Sequence, residues 1–155
     1  MGKYSLDAKD HVTHASSIFS ACALVYAPGE AGEIVEMLMT GSGVSAAADT
    51  QHDARGTHST NGTPGTSTAQ TANLFDDRSA ASTAVGSVLY TAVAAVMDTV
   101  HDVAFGFNQR GGMRWAVPKG EGVRVNGDDA KLAYRWNVLS QTAGKVNGNI
   151  QWWEP

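Results

Sequence analysis

The second half of the chain consists of short segments in which apolar and polar residues alternate. Turns rich in Gly, Pro, Asn and Asp separate these segments at a spacing of about 8–12 residues, which is typical of an antiparallel β-sandwich or barrel. The segments comprise residues 103–107, 113–117, 123–125, 132–139 and 145–153. We therefore predict that the protein is all-β and folds as an antiparallel, jelly-roll-like β-sandwich.

The first part of the chain carries strands of the same kind. In residues 18–26 both alternating sets are apolar or small, which predicts a strand buried between two layers. Cys22 lies in this segment, so we expect a buried, unreactive thiol. A second strand is predicted for residues 33–39, where strict alternation would place Glu33 and Glu36 on opposite faces and exclude a carboxylate pair.

Three further segments complete a single domain of residues 1–155, since one domain is expected at this length. Residues 1–14 are predicted to form an N-terminal arm with a short strand. Residues 43–73 hold almost no large apolar side chain, and we predict one long Gly/Ser/Thr-rich polar loop there. Residues 85–100 combine the apolar spacing of a helix with the Val and Thr content of a strand, so both assignments remain open.

Charge and hydropathy argue against two classes of partner. The chain carries 11 Lys and Arg against 15 Asp and Glu, whereas a nucleic-acid-binding surface needs clustered basic residues. No apolar run reaches the roughly 18 residues of a membrane span, and the first residues lack the apolar run of a secretory signal. We expect a soluble protein with no nucleic-acid and no membrane partner.

Two histidine groups are candidates for chemistry. His52, Asp53 and His58 lie among many hydroxyl side chains, which permits a Ser-His-Asp arrangement, but a flexible loop positions catalytic groups poorly. His11 and His14 would share a face on a helix and so could bind a metal, but on a strand they point apart and no third ligand is evident. We therefore expect no catalytic residue, no metal and no cofactor.

Two adjacent tryptophans, Trp152 and Trp153, close the last predicted strand. Neighbours on a strand point to opposite faces, so one can lie in the core while the other reaches the surface, where it could stack on a sugar or contact a protein. The alternative is that the N-terminal segment covers both. The predicted partner-contact residues are Tyr4, His58, Asn61, Trp152 and Trp153.

Several segments resemble small structural proteins that are encoded beside the coat-protein genes of tailed bacteriophages. The most specific segment, residues 105–118, contains Phe-Asn-x-Arg followed by Trp-x-x-Pro. The other segments that carry the resemblance are residues 4–6, 25–29, 33–37, 74–81 and 152–155.

The resemblance implies a non-catalytic jelly-roll protein of the virion that binds the outside of the capsid as a decoration (cement) protein. Its partners would be the major capsid protein and further copies of itself, with a homotrimer favoured. It would be found in the host cytoplasm during assembly and then on the capsid surface. The alternative is a tail or surface jelly-roll module that recognises host glycans, a function suggested by the terminal tryptophans.

Overall fold

The computed structural model describes residues 1–42, 50–60, 66–76, 78–92 and 99–155. Within these ranges the chain forms twelve β-strands and no helix. The strands are β1 (Gly2–Val12), β2 (Phe19–Val25), β3 (Ala31–Gly41), β4 (Gln51–Ser59), β5 (Thr68–Gln70), β6 (Asn73–Leu74), β7 (Val85–Val88), β8 (Val103–Asn108), β9 (Gly112–Ala116), β10 (Val123–Asn126), β11 (Ala133–Ser140) and β12 (Lys145–Glu154). The prediction of an all-β fold is confirmed.

The strands form two antiparallel sheets that pack as a sandwich. Sheet A has the order β10-β3-β12-β1-β6, with β9 pairing along β3 beyond the end of β10. Sheet B has the order β5-β7-β2-β11-β4-β8. Residues 1–14, predicted as an N-terminal arm with a short strand, contain the 11-residue strand β1, which lies between β12 and β6.

The core lies between the two sheets and is filled by large side chains from their inner faces. Trp136 on β11 is fully buried, and its Nε1 donates a hydrogen bond across the sandwich to the carbonyl oxygen of Leu38 at 3.0 Å. Cys22 is buried as predicted, and burial raises the pKa of its thiol, which makes it inert. The other large core residues include Tyr4, Leu6, Met37, Met39, Ile150 and Trp152 of sheet A and Leu24 and Tyr134 of sheet B.

The predicted long loop of residues 43–73 is interrupted by β4, which lies between β11 and β8. The strand escapes detection because polar residues occupy positions where apolar ones signal a strand. His52, Thr57 and Ser59 are buried, and each makes a side-chain hydrogen bond. The loop prediction is therefore wrong for the residues of β4, and the short strands β5 and β6 also begin within it. Residues 43–49 and 61–65 lie outside the described part of the chain.

The ambiguous segment 85–100 begins as a strand. After β7, the N–H groups of Leu89 and Tyr90 donate to the carbonyl oxygens of Ala21 and Ser20, so the pairing with β2 continues for two residues. Leu89 has a φ of 59°, which turns the chain out of the regular strand. Residues 93–98 lie outside the described residues.

A β-bulge in β3 overturns the expected orientation of two glutamates. Val35 is the extra residue of β3 against β12, so the inward and outward alternation shifts there. Glu33 and Glu36 lie opposite Trp153 and Gln151, and both point to the outer face of sheet A. The prediction that the two carboxylates face apart is therefore wrong.

In the described part of the chain, no helix has the length and apolar character that crossing a membrane requires.

Candidate functional site

The outer face of sheet B is buried although its side chains are polar. Five of its residues are at most 1% exposed. The guanidinium of Arg135 lies 4.8 Å from the ring of Tyr90, and its Nε donates to Ser59 Oγ at 2.8 Å. Burial lowers the pKa of Arg135. The five residues are Ser20, Thr57, Ser59, Arg135 and Asn137.

The chain itself covers this face. Tyr90, at the start of the connection between β7 and β8, lies on Arg135 of the central strand β11. His101 lies at the end of the same connection. Its Nδ1 is hydrogen-bonded to Thr57 Oγ1 at 2.9 Å, and its Nε2 is hydrogen-bonded to Arg55 Nη1 at 3.2 Å. The outer face of sheet B is therefore occupied by internal contacts.

The outer face of sheet A differs, because no strand of the described chain packs over it. We call this surface the open face. Most of its side chains are partly exposed, and they alternate with the core residues of β1, β3 and β12. They are Lys3, Ser5 and Asp7 of β1, Glu33, Glu36, Leu38 and Thr40 of β3, and Asn147, Asn149, Gln151 and Trp153 of β12.

A row of aromatic and cationic side chains crosses one end of the open face. Lys3 Nζ lies 4.7 Å from the ring centroid of Phe75, which is 56% exposed. Lys3 is also the cross-strand neighbour of Trp153, and Lys119 Nζ lies 5.2 Å from the Trp153 ring. Cations at these distances from aromatic rings are held by the ring quadrupole. A lysine ammonium group thus lies near each of the two aromatic rings, and both rings remain partly exposed.

A cleft of about 360 Å³ adjoins this row at the edge of sheet A. Trp153, Lys119, Arg124 and Asn126 contribute to its lining. Glu33, which also lines the cleft, accepts the N–H groups of residues 120 and 122 at 2.6 and 2.8 Å and so fixes the turn that carries Lys119. The cleft therefore has a fixed wall with an indole, two cations and an amide.

Two further carboxylates of the open face, Glu36 and Asp7, have side-chain hydrogen-bond partners. Arg114 on β9 binds Glu36 in bidentate fashion, with Nε–Oε1 at 2.8 Å and Nη2–Oε2 at 3.1 Å, and this hydrogen bonding raises the pKa of Arg114. Asp7 accepts from Asn149 Nδ2 at 2.6 Å and from Asn73 Nδ2 at 3.0 Å. The face is thus polar and pre-organised.

The structure places the predicted partner-contact residues in different surroundings. Tyr4 and Trp152 are buried with their rings stacked at 5.8 Å, so neither reaches the surface. Trp153 is partly exposed on the open face, so of the two alternatives left open by the sequence, the structure has one tryptophan in the core and one at the surface. His58 is partly buried and bonds Asp102 through Nδ1 at 3.0 Å. Asn61 lies outside the described residues.

The residues weighed in the sequence for a Ser-His-Asp arrangement, His52, Asp53 and His58, do not come together. His52 and His58 lie near the two ends of β4, whereas Asp53 points to the outer face and pairs with Arg55. Instead, His52 Nδ1 is hydrogen-bonded to Ser140 Oγ at 2.6 Å, and His52 Nε2 is hydrogen-bonded to Gln109 Oε1. The sequence gives no sign of this contact, because its three members come from the distant strands β4 and β11 and from the residue after β8.

The orientation of Gln109 determines the tautomer of His52. Gln109 Nε2 donates to the carbonyl oxygens of Ser42 and Lys145, at 3.2 and 3.0 Å, so its Oε1 must accept from His52 Nε2–H. The unprotonated Nδ1 then accepts from the Ser140 hydroxyl. Burial lowers the pKa of His52, and the hydrogen bond with Gln109 opposes this shift. The His52–Ser140 pair joins neighbouring strands of sheet B, and Gln109 links it to the backbone of Ser42 and Lys145 at the ends of sheet A strands. His52 and Ser140 are each 2% exposed and so offer a substrate no access.

His11 is the second buried histidine. It is 2% exposed, and its Nε2 has no hydrogen-bond partner among the described residues. Burial and the nearby His14 lower the pKa of His11 to about 4. Among the described residues no group of three or more His, Cys, Asp or Glu side chains is placed to hold a metal ion.

A buried carboxylate closes the other end of the sandwich. Glu154 accepts hydrogen bonds from Trp152 Nε1 at 2.8 Å, Ser82 Oγ at 2.6 Å, the Thr83 N–H at 2.9 Å and the Tyr26 hydroxyl at 3.2 Å. Burial acts to raise the pKa of Glu154, but the hydrogen bonds outweigh it and hold the pKa below its ordinary value. The carboxylate thus ties β12 to the segment that leads into β7.

Comparison of the chain with protein-family models, with curated proteins and with solved structures finds no match. In the described part of the chain, the open face is the surface that combines partly exposed aromatic rings with oriented polar groups.

Proposed function

We propose that the protein is a structural component of a tailed-phage virion that binds the outside of the capsid, as a decoration protein, through the open face of sheet A. The observation that carries the proposal is the difference between the two outer faces. Tyr90 and His101 lie on the polar outer face of sheet B, whereas no strand of the described residues packs over the outer face of sheet A. A sandwich with one free face is suited to lying flat on a larger protein surface.

The chemistry of the open face supports a protein partner. Interfaces between proteins combine buried aromatic residues with a polar rim, and aromatic residues often contribute most of the binding energy. Phe75 and Trp153 are the aromatic residues of this surface, and amides and paired charges surround them. Because these polar groups are already oriented, docking would lose little side-chain entropy.

The resemblance to phage structural proteins supplies the identity of the partner, the major capsid protein. It also supplies the jelly-roll connectivity, the homotrimer, the passage through the host cytoplasm and the final place on the capsid surface, which all belong to the proposal. Many copies on a lattice would add avidity to weak individual contacts.

The proposal is tested on particles of the phage that encodes the chain. Cryo-electron microscopy should place the protein on the capsid with the open face toward the shell. Density on the tail alone, or absence from purified particles, would overturn the capsid assignment.

A co-sedimentation assay with purified shells then tests the open face. The double variant Phe75→Ala/Trp153→Ala should bind at least about tenfold more weakly, because truncated interface aromatics often cost 1.4 kcal/mol or more. Val85→Ala, at a 62% exposed position on sheet B, is the matched control and should bind normally. Normal binding by the double variant would refute the open face as the contact.

A second candidate function, recognition of host glycans by a tail or surface module, is favoured by the cleft beside Trp153. An indole with neighbouring Arg124 and Asn126 donors is a suitable lining for a sugar. Glycan-array binding that is lost in Trp153→Ala and kept in Phe75→Ala would support this function. An array with no signal would count against it.

A further inference from the structure

The edge strand β8 of sheet B lacks the features that protect exposed edges. It pairs with β4 on one side, and no strand of the described chain pairs with its other side. Its sequence, Val103–Asn108, contains no charged residue and no proline, which are the usual protection against pairing with a further strand. An edge of this kind is a template for another strand.

The main-chain groups that point outward belong to Ala104, Gly106 and Asn108. The N–H of Gln109 donates to the carbonyl oxygen of Thr50 at 2.8 Å, so these two residues form a hydrogen-bonded pair in the register of β4 with β8. Hydrogen-bonded and non-hydrogen-bonded pairs alternate along an antiparallel ladder. The alternate residues of β8 therefore turn their N–H and C=O groups away from β4.

Gly106, in the middle of this outward set, has no internal reason to be glycine. It does not have a positive φ, and a Cβ at this position would meet nothing nearer than the carbonyl oxygen of His52 at 3.9 Å. Glycine inside a strand costs conformational entropy and often marks the close approach of another backbone. No backbone of the described residues makes such an approach at Gly106.

We propose that β8 pairs antiparallel with β8 of a second copy of the chain, about a two-fold axis at Gly106. The two Gly106 residues exchange both N–H···O bonds, and each Asn108 N–H donates to the Ala104 carbonyl of the other copy. The Asn108 carbonyl keeps its own turn contact with the N–H of Gly111, at 2.8 Å. The pairing joins sheet B of both copies into one continuous sheet.

Charge complementarity selects a second copy as the occupant of this edge. Asp102 precedes β8, where it also bonds His58, and Arg110 stands in the turn after β8. Two-fold pairing centred on Gly106 brings the Asp102 end of each strand to the Arg110 end of the other. Opposite charges therefore flank an uncharged strand on both sides. This two-fold contact is independent of the proposed function and distinct from the trimer that the resemblance implies.

The experiment uses two charge-reversal variants, Asp102→Arg and Arg110→Asp. Sedimentation equilibrium over a concentration series should show wild-type protein passing from the mass of one chain to that of two. Each variant alone places like charges opposite each other, so its dissociation constant should rise at least about tenfold. An equimolar mixture restores both opposite-charge pairs and should dimerise like the wild type. A wild-type monomer at all concentrations, or a mixture that does not recover, would overturn the proposal.

Two edge variants separate this contact from other modes of association. Gly106→Pro removes an N–H that makes no bond to β4, and Ala104→Lys adds a charge to the edge. Both should abolish dimerisation and leave the unfolding midpoint near that of the wild type. Ala116→Lys makes the same change at an exposed alanine of the edge strand β9 and should dimerise normally. Oligomers that survive both β8 variants would show that another surface forms them.

Discussion

The two outer faces of the sandwich are built from similar residue types but differ in what surrounds them. On sheet B, Thr57, Arg135 and Asn137 are almost inaccessible and make hydrogen bonds or lie under Tyr90 and His101. On sheet A, Asn149 and Gln151 stay partly exposed. The polar residues of a strand therefore do not reveal whether its outer face meets water, because a covering segment of the same chain can satisfy them.

The difference has an energetic consequence. A buried polar group must keep its hydrogen bonds, since losing one leaves a desolvated atom without compensation. A polar group on the open face exchanges its partner for water at little cost. Substitutions on sheet B should therefore affect stability, whereas those on sheet A should affect binding.

The largest contrast is expected between two arginines. Arg135→Ala removes a buried side chain from between Tyr90 and Ser59 and should lower the free energy of unfolding by about 3–5 kcal/mol. Arg114→Ala breaks an exposed pair with Glu36 and should leave stability almost unchanged. Urea unfolding measures both. Equal losses would show that sheet A is as covered as sheet B.

Arg135→Met separates packing from charge. It keeps most of the volume under Tyr90, so a stability close to that of the wild type would assign the loss in Arg135→Ala to the cavity. A loss as large as that of Arg135→Ala would assign it to the guanidinium.

Acid should destabilise the interior before it affects either outer face. The pKa of His11 is about 4 in the folded chain and 6.5 when unfolded, so the unfolded state binds a proton first as the pH falls. The free energy of unfolding is therefore unaffected by His11 above about pH 6.5. As the pH falls to about 4, protonation of His11 in the unfolded state lowers it by about 3 kcal/mol. Urea midpoints measured between pH 7 and 4 follow this loss.

One variant assigns the acid effect. His11→Gln should reduce the pH slope by about 1.4 kcal/mol per pH unit at most. His52, whose pKa burial also lowers, contributes to the slope that remains. An unchanged slope in His11→Gln would contradict the assignment.

Much of the fold was predictable because alternation survives wherever one face of a strand is apolar. The C-terminal strands and the buried thiol of Cys22 follow from that pattern. The strand β4 could not be predicted, since His52, Thr57 and Ser59 are buried by hydrogen bonding and not by apolar character. The bulge at Val35 could not be predicted for a different reason. A bulge exists only relative to the register of the partner strand, here β12, and the sequence of β3 alone does not show that register.

The candidate site was only partly predictable. The division of Trp152 and Trp153 between core and surface follows from the geometry of a strand. The identity of the open face does not, because it depends on which sheet Tyr90 and His101 contact. Tyr4 was expected at the surface and lies in the core, since β1 is a full member of sheet A and turns Tyr4 toward Trp152.

Two glutamates of sheet A give a contrast of intermediate size. Glu154→Gln replaces an acceptor of several hydrogen bonds with a group that also donates, and it should lower the free energy of unfolding by about 2 kcal/mol. Because the pKa of Glu154 is lowered on folding, this stabilisation is present above its ordinary pKa and is lost as the pH falls below it.

The control is Glu36→Gln on the open face, where only an exposed pair with Arg114 is lost. Its unfolding midpoint should stay near that of the wild type. A loss in Glu36→Gln as large as in Glu154→Gln would mean that the charges of the open face contribute to stability.

The smallest expected effect lies on the open face itself. Lys3 and Phe75 form an exposed cation–π contact at 4.7 Å, so a double-mutant cycle of Lys3→Ala with Phe75→Ala should give a coupling energy of about 0.5 kcal/mol. Urea unfolding of the four proteins measures it. A coupling above about 2 kcal/mol would require the pair to be desolvated. The open face would then resemble the covered face of sheet B, and its role as a docking surface would lose its physical basis.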